Sequence, residues 1–370
     1  MYGFESFYFY FLLAYAMYAF AIKVVCKGKY RKQYALFLMI PLFMLSSLRG
    51  DTVGGDLENY LPRFYEMCFA DDFGAAMEVD GHDVGYKILL WVITRISNST
   101  RFFLIATSLL SLIGPMLLIK RYSSSILASF LMYYSMGFYT NTFNNIRQSI
   151  AASLFFLAFP FLIKRKITNY FLIVLVAALI HHSAVVLFLV YPLTIGLLSL
   201  KKIFSIIGGG VALFVVMGSS LLYNIIMLFF MKYDPEQILN ETEGAGWNLF
   251  ILYSFISLVL IVFYYSQRNR LDVSKNQILS LLLTCQILAL LFQLFATIFP
   301  SMTRMGQYFF IPIIITIPLL ISYTKNKFYS YSLVLFTISY CALLFYLTYS
   351  YSPTTGSNSQ GVIPYVFLNK

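Results

Sequence analysis

The sequence predicts an all-α polytopic integral membrane protein with about twelve transmembrane helices, some short or re-entrant, and a large acidic extracytoplasmic loop. Three observations predict it. Of the 370 residues, 60% are hydrophobic and 11% charged, whereas soluble domains run near 45–50% and about 25%; the mean hydropathy is +0.77. The apolar residues come in runs of about 20, the length that spans a hydrocarbon core. Lysines and arginines gather between alternate runs, the pattern that orients a chain in a bilayer. A single soluble core stops growing near roughly 250–300 residues, so lipid has to serve as part of the solvent.

The spans read off in order as 7–25, 33–48, 101–119, 124–140, 146–163, 203–217, 248–266, 276–299, 304–323 and 328–350. The stretch 168–198 is apolar throughout but is interrupted by His181-His182 and Pro192, which suits two short crossings that turn near the histidines. The whole of 1–370 reads as a single membrane domain. The first span has no basic flank before it and no A-x-A site after it, so it is expected to stay as a membrane helix.

Basic clusters at Lys23–Lys32, Lys120-Arg121, Lys164–Lys166, Lys201-Lys202, Arg268–Lys275 and Lys325–Lys327 belong on the cytoplasmic side. Alternation from an outer N-terminus then places 49–100, 141–146, 232–247, 300–303 and the C-terminal tail outside. This requires 84–98 and 219–231 to lie along the surface as interfacial amphipathic helices. The acids, which played no part in the assignment, agree. Asp51, Asp56, Glu58, Glu66, Asp71, Asp72, Glu78, Asp80 and Asp83 fall in the first outer loop (49–100), and Asp234, Glu236, Glu241 and Glu243 in the second outer segment (219–247). Only Asp272 is placed inside.

No Walker A or GxGxxG element is present, so neither ATP hydrolysis nor any cofactor is expected. The four cysteines, Cys26, Cys68, Cys285 and Cys341, stand far apart, which suggests neither a disulfide framework nor a zinc site. The net charge of +11 is accounted for by topology and does not call for nucleic acid.

Lysine sets the topology, and arginine dominates the wrong side. Arg49, Arg63, Arg95, Arg101, Arg147 and Arg304 all land outside. Snorkelling or pairing with outer-loop acids accounts for Arg63, Arg95 and Arg101. Arg49, Arg147 and Arg304 open or close spans beside uncharged polar residues. A guanidinium there costs roughly 2.5–3.5 kcal/mol to insert, and an anionic ligand would offset that, because its planar fork matches phosphate. The polar run Asn141–Ser149 supplies amides for sugar hydroxyls, and the helix that follows Arg147-Gln148 adds a dipole that favours anions. His181 and His182 on one helix would point about 100° apart, which argues against a shared metal, and no metal is expected. A single His at that break can move a proton or bond a phosphate. Asp56 is a second candidate base, in Arg49-Gly50-Asp51 followed by Gly54-Gly55-Asp56 and Tyr60.

These residues resemble the EpsG-type branch of the Wzy-like polysaccharide polymerases. Arg49-Gly50, Gly54, Asp56 and Tyr60 resemble its R-G-x-x-x-G-x-D-x-x-x-Y pattern, and Asp83–Tyr86 its D-x-G-Y element. Asn145–Ala151 is similar to N-x-R-Q-x-x-A. His181–Ala184 is similar to H-x-S-A, which sets His182 on the variable place. Arg304–Phe309 is similar to R-x-x-x-Y-F, and Pro364-Tyr365 to the P-Y tail. Gly55-Asp56-Leu57 departs from the Thr-Asp-Tyr that the family often carries.

The resemblance implies a glycosyltransferase, metal-independent, that joins undecaprenyl-diphosphate-linked oligosaccharide repeats on the extracytoplasmic face of the bacterial inner membrane. That would serve O-antigen (lipopolysaccharide) or exopolysaccharide biosynthesis, beside a flippase and a chain-length regulator. On this reading Arg147, Arg304 and Arg49 bind the diphosphate leaving group. Asp56 or His181 receives the acceptor proton, and Asn144, Asn145, Gln148, Tyr60 and Tyr308 hold sugar. The rival readings are a lipid-linked oligosaccharide flippase and another lipid-dependent glycosyltransferase or ligase.

Overall fold

The computed structural model describes residues 3–4, 6–26, 31–81, 83–217, 245–351, 358 and 360–367. In chain order the α-helices are α1 Ser6–Cys26, α2 Arg31–Ser47, α3 Leu57–Phe69, α4 Phe73–Glu78, α5 Val84–Ile96, α6 Thr100–Tyr122, α7 Ile126–Ser135, α8 Phe138–Asn144, α9 Ile146–Ile163 and α10 Ile167–Ile180. A 3-10 helix, His182–Leu189, follows. Then come α11 Val190–Leu193, α12 Leu200–Met217, α13 Ala245–Gln267, α14 Val273–Phe295, α15 Met302–Phe310, α16 Ile313–Tyr323 and α17 Lys327–Tyr349. The one sheet among the described residues is a two-stranded antiparallel pairing of Gly3–Phe4 with Ser350–Tyr351.

The class is therefore all-α and polytopic. Seven helices are long and apolar enough to cross a membrane: Ser6–Cys26, Thr100–Tyr122, Ile146–Ile163, Gly246–Arg270, Val273–Phe295, Met302–Tyr323 and Lys327–Tyr349. Four shorter apolar helices accompany them, at Gln33–Ser47, Ile126–Ser135, Ile167–Ile180 and His182–Leu193. Seven full-length spans and four shorter apolar helices are thus present among the described residues, beside the expectation of about twelve crossings, some short or re-entrant. One expected span is broken and another changes helix within its length, each for a local reason. The stretch 124–140 divides at Gly137, whose φ of +78° ends α7 and starts α8, a backbone state that glycine adopts at no steric cost. The span 304–323 changes from α15 to α16 at Pro312, which has no N–H to continue the ladder. The expected surface segment 219–231, with the acids Asp234 to Glu243, lies outside the described residues.

The chain packs as two compact units, residues 1–188 with 325–370, and residues 189–324. In the first unit, α6 and α9 cross at Gly114. A Cβ there would run into the Ser153 carbonyl, and the Gly114 N–H donates to Ser153 Oγ at 2.9 Å. Small residues at a crossing let membrane helices approach closely and bond across the seam. The first outer loop is itself helical. Helices α3, α4 and α5 bury Leu57, Phe64, Met67, Ala76, Tyr86 and Leu90 against Phe103 of α6, Ile146 and Ile150 of α9 and Ile180 of α10. The starts of α6 and α9 and the end of α10 therefore share one end of this unit, capped by the α3–α5 layer. The expected helix at 84–98 is α5.

The same end is closed by residues from both chain extremities. Gly50 N–H donates to Val366 O at 2.7 Å, and Gly54 N–H to Gly361 O at 2.8 Å. Arg49 bridges Phe367 in antiparallel fashion, and the Tyr8 hydroxyl donates to Val362 O at 2.6 Å. In the second unit, Gln286 Nε2 donates to Ser257 Oγ at 3.0 Å, and the Tyr253 and Phe310 rings stack with centroids 3.9 Å apart. Polar pairs and ring contacts there join α13, α14 and α15 where lipid offers no hydrophobic drive.

Candidate active site around Asp83 and Arg147

The centre of the capped end is a carboxylate. Asp83 is the N-cap residue of α5, and its backbone carbonyl accepts the Tyr86 and Lys87 N–H bonds. Its side chain makes no capping bond, so both carboxylate oxygens are free to meet other segments. Gly85 decides which. A Cβ at Gly85 would lie 2.7 Å from the Leu179 carbonyl, so only glycine lets the start of α5 lie against the last turn of α10. That contact sets Asp83 beside the histidines that follow Ile180.

Three side chains converge on Asp83. Arg147 Nη1 donates to Oδ2 at 3.0 Å, His182 Nδ1 lies 3.2 Å from Oδ1, and His181 Nδ1 lies 3.5 Å from Oδ2. The expectation that adjacent histidines diverge fails because they are not on a helix. Helix α10 ends at Ile180, His181 is extended (φ −151°, ψ 113°) and His182 opens the 3-10 turn. The two rings sit with centroids 4.9 Å apart. Exposure separates them: the His181 side chain is 13% exposed and that of His182 65%. Burial pushes the Asp83 carboxyl up, but the His181 and His182 contacts and the Arg147 charge outweigh it and hold the group well below the usual carboxylate range. Burial pulls the His181 imidazole below its usual value, against the opposing pull of Asp83.

Arg147 is the second residue of α9. Its guanidinium carbon lies 5.9 Å from the centroid of the Tyr60 ring, and its buried Nε–H has no hydrogen-bond partner. The pairing with Asp83 is of the kind weighed in sequence as the structural alternative for outer arginines. Arg63 and Arg95 instead meet main-chain carbonyls, at Asp80 and Asn59 for Arg63 and at Ala70 for Arg95. Arg101 donates to Ser47 O. Tyr60 is buried in α3, edge-on to Tyr86 at 5.9 Å.

One turn before Tyr60, Asp56 is the N-cap residue of α3. Its carboxylate makes no capping bond, and its N–H donates to Asn144 Oδ1 at 3.4 Å. Gly54 makes that approach possible. It sits at φ +107°, and a Cβ would lie 2.6 Å from the Phe143 carbonyl oxygen. The first loop thus rests directly on the turn between α8 and α9. Asn145 Nδ2 donates to Asn141 Oδ1 at 2.8 Å, and Gln148 is buried within α9.

Arg49 occupies a different environment in the same unit. It is 1% exposed, and its Nη1 donates to Ser46 O at 2.7 Å and Ser46 Oγ at 3.1 Å. Its guanidinium lies 4.7 Å over the Phe143 ring, and its Nε–H is buried without a partner. Arg304 and Tyr308 belong to the second unit, in α15, with Arg304 exposed and Tyr308 buried.

Asp56, Tyr60, Asn144, Arg147 and His181, drawn from three sequence segments, therefore meet in one unit. Sequence reasoning did not single out Asp83 as a site residue and set His182 aside as variable. The available signal was an acid followed by Gly-Tyr at a helix start, in a loop rich in unremarkable acids.

The model of the EpsG family matches residues 32–367, and the chain belongs to that family. No curated protein and no solved structure matches.

Proposed function

We propose that this member of the EpsG family joins lipid-diphosphate-linked oligosaccharide repeats on the outer face of a bacterial inner membrane, as an O-antigen or exopolysaccharide polymerase. Membership supports a polysaccharide-polymerase type of membrane protein, and the seven apolar helices suit a lipid-borne substrate. The observation that carries the finer reading is the meeting of Arg147 with Asp83, Tyr60 and the two histidines beside an uncapped carboxylate, Asp56.

In such a transfer the acceptor hydroxyl attacks the anomeric carbon. The bond to the diphosphate oxygen breaks, the electron pair leaves with the diphosphate, and the hydroxyl proton goes to a base. We assign the developing diphosphate charge to Arg147. Asp83 holds one edge of its guanidinium and leaves the Nε–H to donate. Fixed donors aimed at charge that grows in the transition state contribute about 2.7–4 kcal/mol each. Of the two bases considered, Asp56 is favoured, because its carboxylate is partly exposed and makes no cap, whereas His181 is enclosed against Asp83. Asn144, Asn145, Gln148 and Tyr60 are assigned to sugar contacts or to their support. Arg49 serves the same end by holding Phe143 and the turn after it. Arg304 and Tyr308 are carried as diphosphate and sugar contacts on their sequence element. The substrate, a flippase and a chain-length regulator are the partners this role calls for.

The test is Arg147→Lys at the chromosomal locus, read by electrophoresis of surface polysaccharide. The expected outcome is a ladder collapsed to one repeat unit. Absence of all surface sugar would indicate a flippase, and polymer that is built but unattached a ligase. A normal ladder would remove Arg147 from the mechanism.

A further inference from the structure

We propose that Asp83, His181 and His182 form a binding site for one divalent metal ion of the zinc type. One carboxylate oxygen and one ring nitrogen from each imidazole all lie within 4.8 Å of one another. Zinc takes nitrogen at about 2.0–2.1 Å and carboxylate oxygen at about 2.0–2.2 Å, which places neighbouring tetrahedral ligands about 3.4 Å apart. His182 Nδ1 lies 3.2 Å from Oδ1 of Asp83 and His181 Nδ1 3.5 Å from Oδ2, so each nitrogen already stands near that spacing from one oxygen of the carboxylate. The His182 side chain, 65% exposed, has room to adjust and bring the set onto one ion.

Three further features point the same way. The backbone break after Ile180 turns two consecutive imidazoles toward one carboxylate, which a continuous helix cannot do. His181 Nδ1 is buried, faces this triangle, and has no hydrogen-bond partner; its 3.5 Å approach to Asp83 lies outside hydrogen-bond geometry. Asp83 is held at Oδ2 by Arg147 at 3.0 Å, which leaves Oδ1 facing His182, and ligating carboxylates are commonly fixed by such an outer partner. Two nitrogens and one oxygen favour zinc, or a late first-row ion such as cobalt, over magnesium, calcium or manganese.

Three protein ligands leave a fourth position, as in catalytic rather than structural zinc sites. The 65% exposure of His182 opens that position away from the protein. An oxyanion fills it, and if the diphosphate reading above holds, that oxyanion is a diphosphate oxygen next to the Arg147 fork. The Arg147 charge opposes the cation, so affinity for the bare ion is moderate.

The test uses the full-length protein, purified in detergent and stripped with a chelator. Cobalt(II) is titrated while its visible d–d absorption is followed, and zinc is then added in competition. The expected result is one cobalt per chain, displaced by zinc, with affinity weakened more than about 100-fold in His182→Ala, beyond the range for losing an outer-shell partner. His182 is the most exposed ligand, and an unchanged melting curve verifies that the variant folds. No saturable absorption, or equal binding by His182→Ala, overturns the proposal. The readout is metal bound by resting protein, so a flippase or ligase phenotype from Arg147→Lys would remove the polymerase reading and leave this site standing.

Discussion

Gly54→Ala tests whether the first loop is seated where the site requires it. At φ +107° an L side chain is strained by about 1–3 kcal/mol. The added Cβ would lie 2.6 Å from the Phe143 carbonyl oxygen and 3.0 Å from its carbon. Both are main-chain atoms of the turn between α8 and α9, so no side chain can swing aside. Restoring an ordinary contact of 3.4 Å needs a shift of 3.4 − 2.6 = 0.8 Å. Overpacking of that kind costs about 1–3 kcal/mol more. The total, roughly 2–6 kcal/mol, is a large part of the 5–15 kcal/mol typical of a folded chain. The loop that yields is the one carrying Asp56, and a displacement of about 1 Å near reacting groups costs on the order of 100-fold in rate. The assay pairs thermal unfolding in detergent with polymerisation of lipid-linked repeats by purified protein. Gly208→Ala is the control: it lies within α12, has nothing within 4 Å of its Cβ, and is expected to gain about 0.5–1 kcal/mol from helix propensity. Wild-type melting and wild-type polymerisation by Gly54→Ala would refute the seating argument.

Three other variants probe separate parts of the first unit. Gly114→Ala drives a Cβ into the Ser153 main chain and is expected to lower Tm far more than Ser153→Ala, which removes one hydrogen bond worth about 1 kcal/mol; equal effects would mean that α6 and α9 are not in close contact there. Asp56→Asn is expected to slow polymerisation by about 10²–10⁴ at unchanged Tm, because the carboxylate makes no cap, and full activity would exclude it as the base. Arg49→Gln should cost about 1.5–3 kcal/mol, the range for hydrogen bonds to charged groups, since it gives up the Ser46 bonds and the stack on Phe143. An unchanged Tm with a lost ladder would instead assign Arg49 to substrate.

What was legible in the sequence was set by short-range physics. Apolar runs gave the helices, and the polar interruption at His181-His182 fell where α10 ends. The breaks at Gly137 and before Pro312 went unread, because a glycine or proline inside an apolar run is tolerated in many membrane helices. The site was legible in part. Arg147 stands out in the sequence because it opens a span beside amides, and Asp56 because of its glycines. Asp83 escaped because its role comes from pairing at a distance of 64 residues with Arg147 and 99 with His182. The geometric objection to a shared histidine ligand applied helix angles to residues that lie just past a helix end, where those angles no longer hold.

The seating of Gly50 and Gly54 on Val366 and Gly361, and of Tyr8 on Val362, 354 residues away, has a consequence for biogenesis. As the polypeptide emerges from the ribosome and threads into the membrane, the segment bearing Asp56 waits for partners translated some three hundred residues later. Insertion of the early helices can precede maturation of the reactive end. A premature stop codon or a bulky fusion at the C-terminal side would then yield a protein that is inserted and abundant yet inactive. Reporter tags for this protein belong at some other position.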